Sequence, residues 1–158
     1  MNPDTVFLIC NNGVLPAWLL LVVAPGWEWT RRIVHAIWIP MLLGLVYAWG
    51  FATNPGAPEG GSFTTLEGVM VLFTSPHVAL VGWVHYLAFD LFVGAWEARD
   101  ARRSGVRHFW LVPCLLLTLM AGPLGLLLYL AIRCFVSRDV SLVEDREGLR
   151  TIESTEAA

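Results

Sequence analysis

Four stretches of this chain are long enough and apolar enough to cross a lipid bilayer, and no other feature limits its fold so strongly. They run over approximately 4–24, 31–51, 77–97 and 108–133, and a hydrocarbon core of roughly 30 Å takes about 20 apolar residues per helix. Lipid offers no partner to a free backbone amide, so helices, which satisfy their own, are the natural spanning element. The composition agrees: 56% of residues are apolar and 15% charged, against about 25% charged in a soluble domain. The expectation is an all-α integral membrane bundle of four transmembrane helices, one domain over residues 1–135. Residues 136–158, mixed in charge and poor in aromatics, are expected to form a mobile tail.

All ten basic residues are arginines. Arg31 and Arg32 follow the first span; Arg99, Arg102, Arg103 and Arg107 separate the third from the fourth; residues 52–76 hold none. The positive-inside rule puts both arginine loops in the cytoplasm and, with four spans, both termini outside. Arg133 and Arg138 run against that pattern, because they follow the fourth span on the side assigned to the exterior. A net charge of -3 with scattered arginines excludes nucleic acid as a partner and leaves the lipid bilayer. Asp4 and the lack of a positive leading segment mark the first run as a retained helix rather than a secretory signal. Cys10, Cys114 and Cys134 lack metal-type spacing and read as packing thiols.

Between the second and third spans lies a turn-rich loop, then "TTLEGVMVLFTSP", whose apolar part is too short to cross. Residues 64–75 are expected to form a re-entrant or interfacial half-helix, capped by Thr64 or Thr65, with Glu67 in its first turn. Pro16, Pro40, Pro113 and Pro123 suggest kinks, and "AGPLG", 121–125, permits both bending and close helix contact.

At about 1.5 Å rise per residue, the polar residues sort by depth from the cytoplasmic ends of their helices. His85 and Tyr86 fall about 17 Å deep, Asn11 and Asn12 about 18–20 Å, Thr118 about 15 Å and Asp90 about 10 Å, with Gly44 leaving space at a similar level. Asparagine, histidine, tyrosine and threonine can serve as interhelical glue. Asp90 is harder to place: an aspartate near the centre of a spanning helix costs roughly 2.5–3.5 kcal/mol, and such residues face a cavity or a partner. A carboxyl group that gives and retakes a proton suits the position. Tyr86, four residues earlier, shares its face, whereas His85 is about 140° away around the helix and could line another wall of the pocket. Glu97 shares the face too, near arginines, where a solvated ion pair is expected. Asn11, Asn12, Tyr86, Glu67, Thr118 and Trp83 are candidate substrate contacts. A metal site, if present, would draw on His85, Asp90 and Glu67; no four-histidine site is compatible with the depths of His35, His77 and His108.

"VVAPGWEWTRR", "EGVMVLFTSP", "GWVHYLAFDLFVGAWEARD" and the late "GPLG" together resemble the membrane family of plant neoxanthin synthase, the abscisic-acid-deficient four proteins. The resemblance covers roughly residues 10–132, with His85 and Asp90 at the positions of the family's histidine and aspartate. It implies an enzyme acting on a carotenoid or related polyisoprenoid, either by epoxide-to-allene isomerisation or by oxidative cleavage of β-carotene to retinal. Isomerisation asks for an acid and a base, to which Asp90 and His85 are assigned, and needs no cofactor; cleavage asks for iron. The alternative is a non-catalytic carotenoid- or lipid-binding accessory protein. A second copy of the chain or a carotenoid-pathway enzyme is the protein partner expected. The short, arginine-only form suggests a bacterial inner membrane.

Overall fold

The computed structural model of the chain describes residues 2–53 and 56–142. Among them are seven helices and no strand: α1 (Pro3–Gly13), α2 (Leu15–Val23), α3 (Glu28–Ile33), α4 (Trp38–Ala52), α5 (Leu66–Leu72), α6 (Pro76–Ser104) and α7 (His108–Ser137). Four stretches, Pro3–Val23, Glu28–Ala52, Pro76–Ser104 and His108–Ser137, are long and apolar enough to cross a membrane, as the sequence led us to expect. The first two are each built from two helices. The Asn2 side chain accepts the Asp4 amide at 3.1 Å at the start of α1. The break at Val14 precedes Pro16, whose missing N–H falls in the first turn of α2, where a helix has no internal partner for it.

The expected half-helix is shorter than residues 64–75. Thr65 Oγ1 accepts the Gly68 amide at 3.1 Å and Glu67 lies in the first turn of α5. Seven residues reach only about 10 Å, so α5 does not cross, and Phe73 at its end packs against Gly82 of α6.

α6 is the axis of the bundle. The first span runs parallel to it: Phe7 meets Trp83 with ring centroids 5.6 Å apart, and further along Trp18 covers Gly94, where a Cβ would stand 2.7 Å from the indole. α4 runs antiparallel, with Gly50 against Val81, Tyr47 against His85 at 5.9 Å and, beyond its start, His35 Nδ1 3.3 Å from Arg99.

α7 is not straight. Ala121 departs from helical geometry, with φ -155° and ψ 70°, and the chain beyond it lies beside the chain before it: a Cβ on Gly125 would overlap the backbone and side chain of Thr118. In a continuous helix those residues are about 10 Å apart. Levels along α6 agree. Gly122 touches Asp90, whereas Tyr129 and Arg133 bond to Asp100, ten residues closer to the arginine-rich turn. A straight α7 would carry Tyr129 about 25 Å past Asp100. α7 is therefore a helical hairpin: one arm, 108–120, rises to the depth of Asp90, and the other, 122–137, returns toward the end it came from.

This reversal corrects the expected sidedness. The start of α1 and the end of α7 lie at opposite ends of the bundle, against the expectation that the chain enters and leaves it on one side. Arg133 and Arg138 return to the end that carries Arg99–Arg107, which removes their conflict with the positive-inside rule. Residues 136 and 137 complete α7, and the carbonyls of Asp139 and Ser141 accept from Arg133 at 2.8 Å each; the rest of the expected tail, 143–158, lies outside the described residues. In a Cys134→Ser background, cysteines placed at Val140 and at Arg102 are expected to react with an impermeant maleimide from one membrane face, and a cysteine at Thr5 from the other. Labelling of Val140→Cys and Thr5→Cys from the same face would exclude the hairpin. Gly125→Ala should force the arms apart and cost about 1–3 kcal/mol, seen as an earlier unfolding midpoint in a denaturing-detergent titration. An unchanged midpoint would mean that the arms do not touch.

Candidate active site at the hairpin tip

One edge of α6 carries Tyr86, Asp90, Glu97 and Asp100, and the α7 hairpin lies along it. Offsets of four, seven and ten residues from Tyr86 to Asp90 and from Asp90 to Glu97 and Asp100 keep these groups on neighbouring rows of the helix. The hairpin divides them. Glu97 and Asp100 are covered by its arms; Asp90 is met only by its tip.

Asp90 packs so closely on Gly122 that a Cβ there would overlap its Oδ1. The Tyr86 hydroxyl lies beside the Asp90 carboxyl and the Gly122 backbone. The second arm begins here, and its first amides lack partners within the helix, so a carboxyl group and a phenol are suitable neighbours for them. The carboxyl oxygen Oδ2 is buried and has no hydrogen-bond partner, the one such side-chain atom among the described residues. Buried polar atoms are normally satisfied, so a carboxyl oxygen left open at this depth can bond to, or exchange a proton with, a molecule that enters beside it.

The groups below the tip are differently arranged. Glu97 is fully buried, and Thr118 Oγ1 lies 3.0 and 3.2 Å from its two oxygens. This corrects the expectation of a solvated ion pair: the arginines of α6 point away, and the first arm of α7 covers the carboxyl. Asp100, 1% exposed, accepts from Arg133 Nε at 2.7 Å, Arg103 Nη2 at 2.9 Å, Ser104 Oγ at 3.0 Å and the Tyr129 hydroxyl at 2.5 Å. Four donors converge on this carboxylate, three of them on Oδ2, and it ties the second arm to α6. Sequence reasoning missed Asp100, Tyr129 and Arg133. The available signal was the pair of arginines on the apparently wrong side of the membrane.

Of the candidate substrate contacts, Asn11 and Trp83 are brought to the same side of α6 as Tyr86. Trp83 Nε1 donates to Asn11 Oδ1 at 3.1 Å, and its ring stacks on Tyr86 at 5.5 Å. Trp83 is 39% exposed, so this polar cluster opens sideways above the hairpin tip. Asn12 lines a separate apolar groove with Leu15, Trp18 and Leu116. Thr118 lies below the tip with Glu97. His85 faces α4 and α5, against Tyr47 and Phe89, and Glu67 is exposed on α5. Gly44 is exposed with nothing within 4 Å of its Cβ position, so it makes no room inside the bundle.

A metal centre built from His85, Asp90 and Glu67 is not assembled, since the three face different surroundings, and no group of three or more His, Cys, Asp or Glu able to hold a metal ion occurs among the described residues. These residues do not fit the iron that an oxidative cleavage would require.

The ABA DEFICIENT 4-like family model matches residues 5–129, which includes the whole of α6 and the hairpin tip. The chain belongs to the ABA4-like family. Among curated proteins it is similar to Protein ABA DEFICIENT 4, chloroplastic, of Arabidopsis thaliana, at 27% identity over 118 residues, 66% of this chain and 49% of the relative. This ABA4-like chain thus spans about half the length of the curated relative it matches. No solved structure matches it.

Proposed function

We propose that this ABA4-like protein is a membrane enzyme acting on a carotenoid or related polyisoprenoid, with Asp90 as its proton-transfer group. The observation that carries the reading is the buried, unpartnered Oδ2 of Asp90 at the tip of the hairpin, beside Tyr86 and below the lipid-facing cluster of Trp83 and Asn11. A long apolar substrate would enter laterally from the bilayer, its polar end directed to Asp90 and its hydrocarbon chain left along the aromatic flank of α6.

The reaction favoured is the isomerisation of an epoxide to an allene. Protonation of the epoxide oxygen releases one ring C–O bond to give a hydroxyl group, and loss of a proton from the adjoining polyene carbon forms the new double bond. Proton and electron counts are unchanged overall. One carboxyl group that gives its proton to oxygen and takes another from carbon can serve both steps, with Tyr86 holding it in place. The acid–base pair of Asp90 and His85 is less well supported, because the imidazole faces α4 and α5. Oxidative cleavage to retinal is less well supported still, for want of iron ligands.

A second reading has its own support. The contact of Asp90 and Tyr86 with the start of the second arm gives the carboxyl a packing role without chemistry, as in a carotenoid- or lipid-binding accessory protein. The two readings part on one comparison: wild type and Asp90→Asn expressed at equal level in cells accumulating an epoxycarotenoid or β-carotene, with pigments separated by chromatography. A new pigment made by the wild type alone supports the enzyme; unchanged pigment retained by both purified proteins supports the binding protein.

A further inference from the structure

On another flank of α6, between α4 and α5, lies a cavity of about 380 Å³. Its walls include Tyr47, Phe51, Phe63 and Phe73, with Ala57 of the connecting loop, and among the described residues His85 is its one nitrogen-bearing side chain. The volume is at the lower end of the roughly 300–1,000 Å³ found for small-molecule sites, enough for a substituted ring but not for a long polyene.

His85 is what makes this more than an apolar recess. It lies nine residues into α6, about 13 Å from the start of that helix, and so within the hydrocarbon layer. Its ring packs on Phe89 and Tyr47, at centroid distances of 4.5 and 5.9 Å, the side chain is otherwise exposed at the bundle surface, and no hydrogen bond from the protein reaches its nitrogens among the described residues. An imidazole without a polar partner is unfavourable in such surroundings. Flat aromatic walls around one nitrogen that can donate or accept select a flat ring bearing an oxygen.

We propose that this cavity is a second ligand site, which takes the oxygenated six-membered ring of a membrane-dissolved isoprenoid, the oxygen on His85 and the tail in lipid. Two sources share that chemistry, a hydroxylated terpenoid ring and the head of an isoprenoid quinone. The proposal rests on the cavity and not on the reaction at Asp90.

The test is equilibrium binding to the purified full chain in nanodiscs, using 3-hydroxy-β-ionone, β-ionone and a benzoquinone carrying two isoprene units. At least one ring-oxygenated probe should bind roughly fivefold or more tighter than β-ionone, the worth of about one hydrogen bond. His85→Leu should erase that preference and His85→Gln should keep most of it. Ala57→Trp, a loop substitution that fills the cavity, should abolish binding of the preferred probe, and which probe is preferred identifies the source. Undiminished binding in Ala57→Trp would place the probes elsewhere and overturn the proposal, as would a preference that survives in His85→Leu. Unchanged monodispersity and helical content of each variant separate these outcomes from misfolding. Activity lost in Asp90→Asn is read in a different experiment, so either idea can fail alone.

Discussion

Arg133→Ala is expected to destabilise the fold by about 3–5 kcal/mol, the usual consequence of stripping one partner from a buried ion pair. Asp100 is 1% exposed and Arg133 5%, so the abandoned carboxylate would have little water to turn to. Arg103 also bonds to it at 2.9 Å, but that side chain is 38% exposed and lies on the same helix, three residues away. Arg133 has the larger role because it joins the second hairpin arm to α6 and, through its other nitrogens, holds the carbonyls of Asp139 and Ser141. The measurement is unfolding in a denaturing-detergent titration, followed by circular dichroism. Adding Asp100→Asn should recover part of the loss, since a neutral amide tolerates the missing cation far better than a carboxylate does. A loss below about 1 kcal/mol would place the pair in the class of exposed salt bridges and contradict its burial.

The second large effect concerns chemistry. Asp90→Asn keeps the size and most of the contacts of the side chain, including its position against Gly122, but removes the exchangeable acid proton. If Asp90 transfers protons, turnover of the substrate should fall by about 10²–10⁴-fold while the unfolding midpoint stays close to that of the wild type. Tyr86→Phe should produce a smaller loss, because it removes the hydroxyl beside the carboxyl and leaves the acid in place. Full activity in Asp90→Asn would remove the residue from the reaction and leave it as a neighbour of the second arm. A fall in both activity and stability would point to the same packing role.

The first three spanning runs and the short α5 were legible because a bilayer sets a minimum length and each run meets it or plainly fails to. Asp90 and Tyr86 were legible for a related reason: an acid inside an apolar run needs a local explanation, and the residue four positions away shares its face. The path of α7 was not. An apolar run reads the same whether it crosses or doubles back, and the difference rests on Ala121 leaving helical geometry and Gly125 leaving room for Thr118. Everything that depends on the reversal was hidden with it. Tyr129 and Arg133 are 29 and 33 residues from Asp100, and no periodicity connects them until the chain turns. Glu97 was misread because nearby arginines suggested water, when the nearer influence was the first arm lying over it. His85 and Asp90 were read as two walls of one pocket; an angle of about 140° separates their faces but does not say whether those faces border the same cavity.

The hairpin also bears on how the protein is made. A segment that enters and leaves through one face never requires the polar residues at its end, Arg138, Asp139 and Ser141, to be carried through the bilayer. The biosynthetic machinery has to complete only three crossings. The last arm can then be laid in from the face at which the first arm began, with closure of Arg133 onto Asp100 as the step that fixes it there.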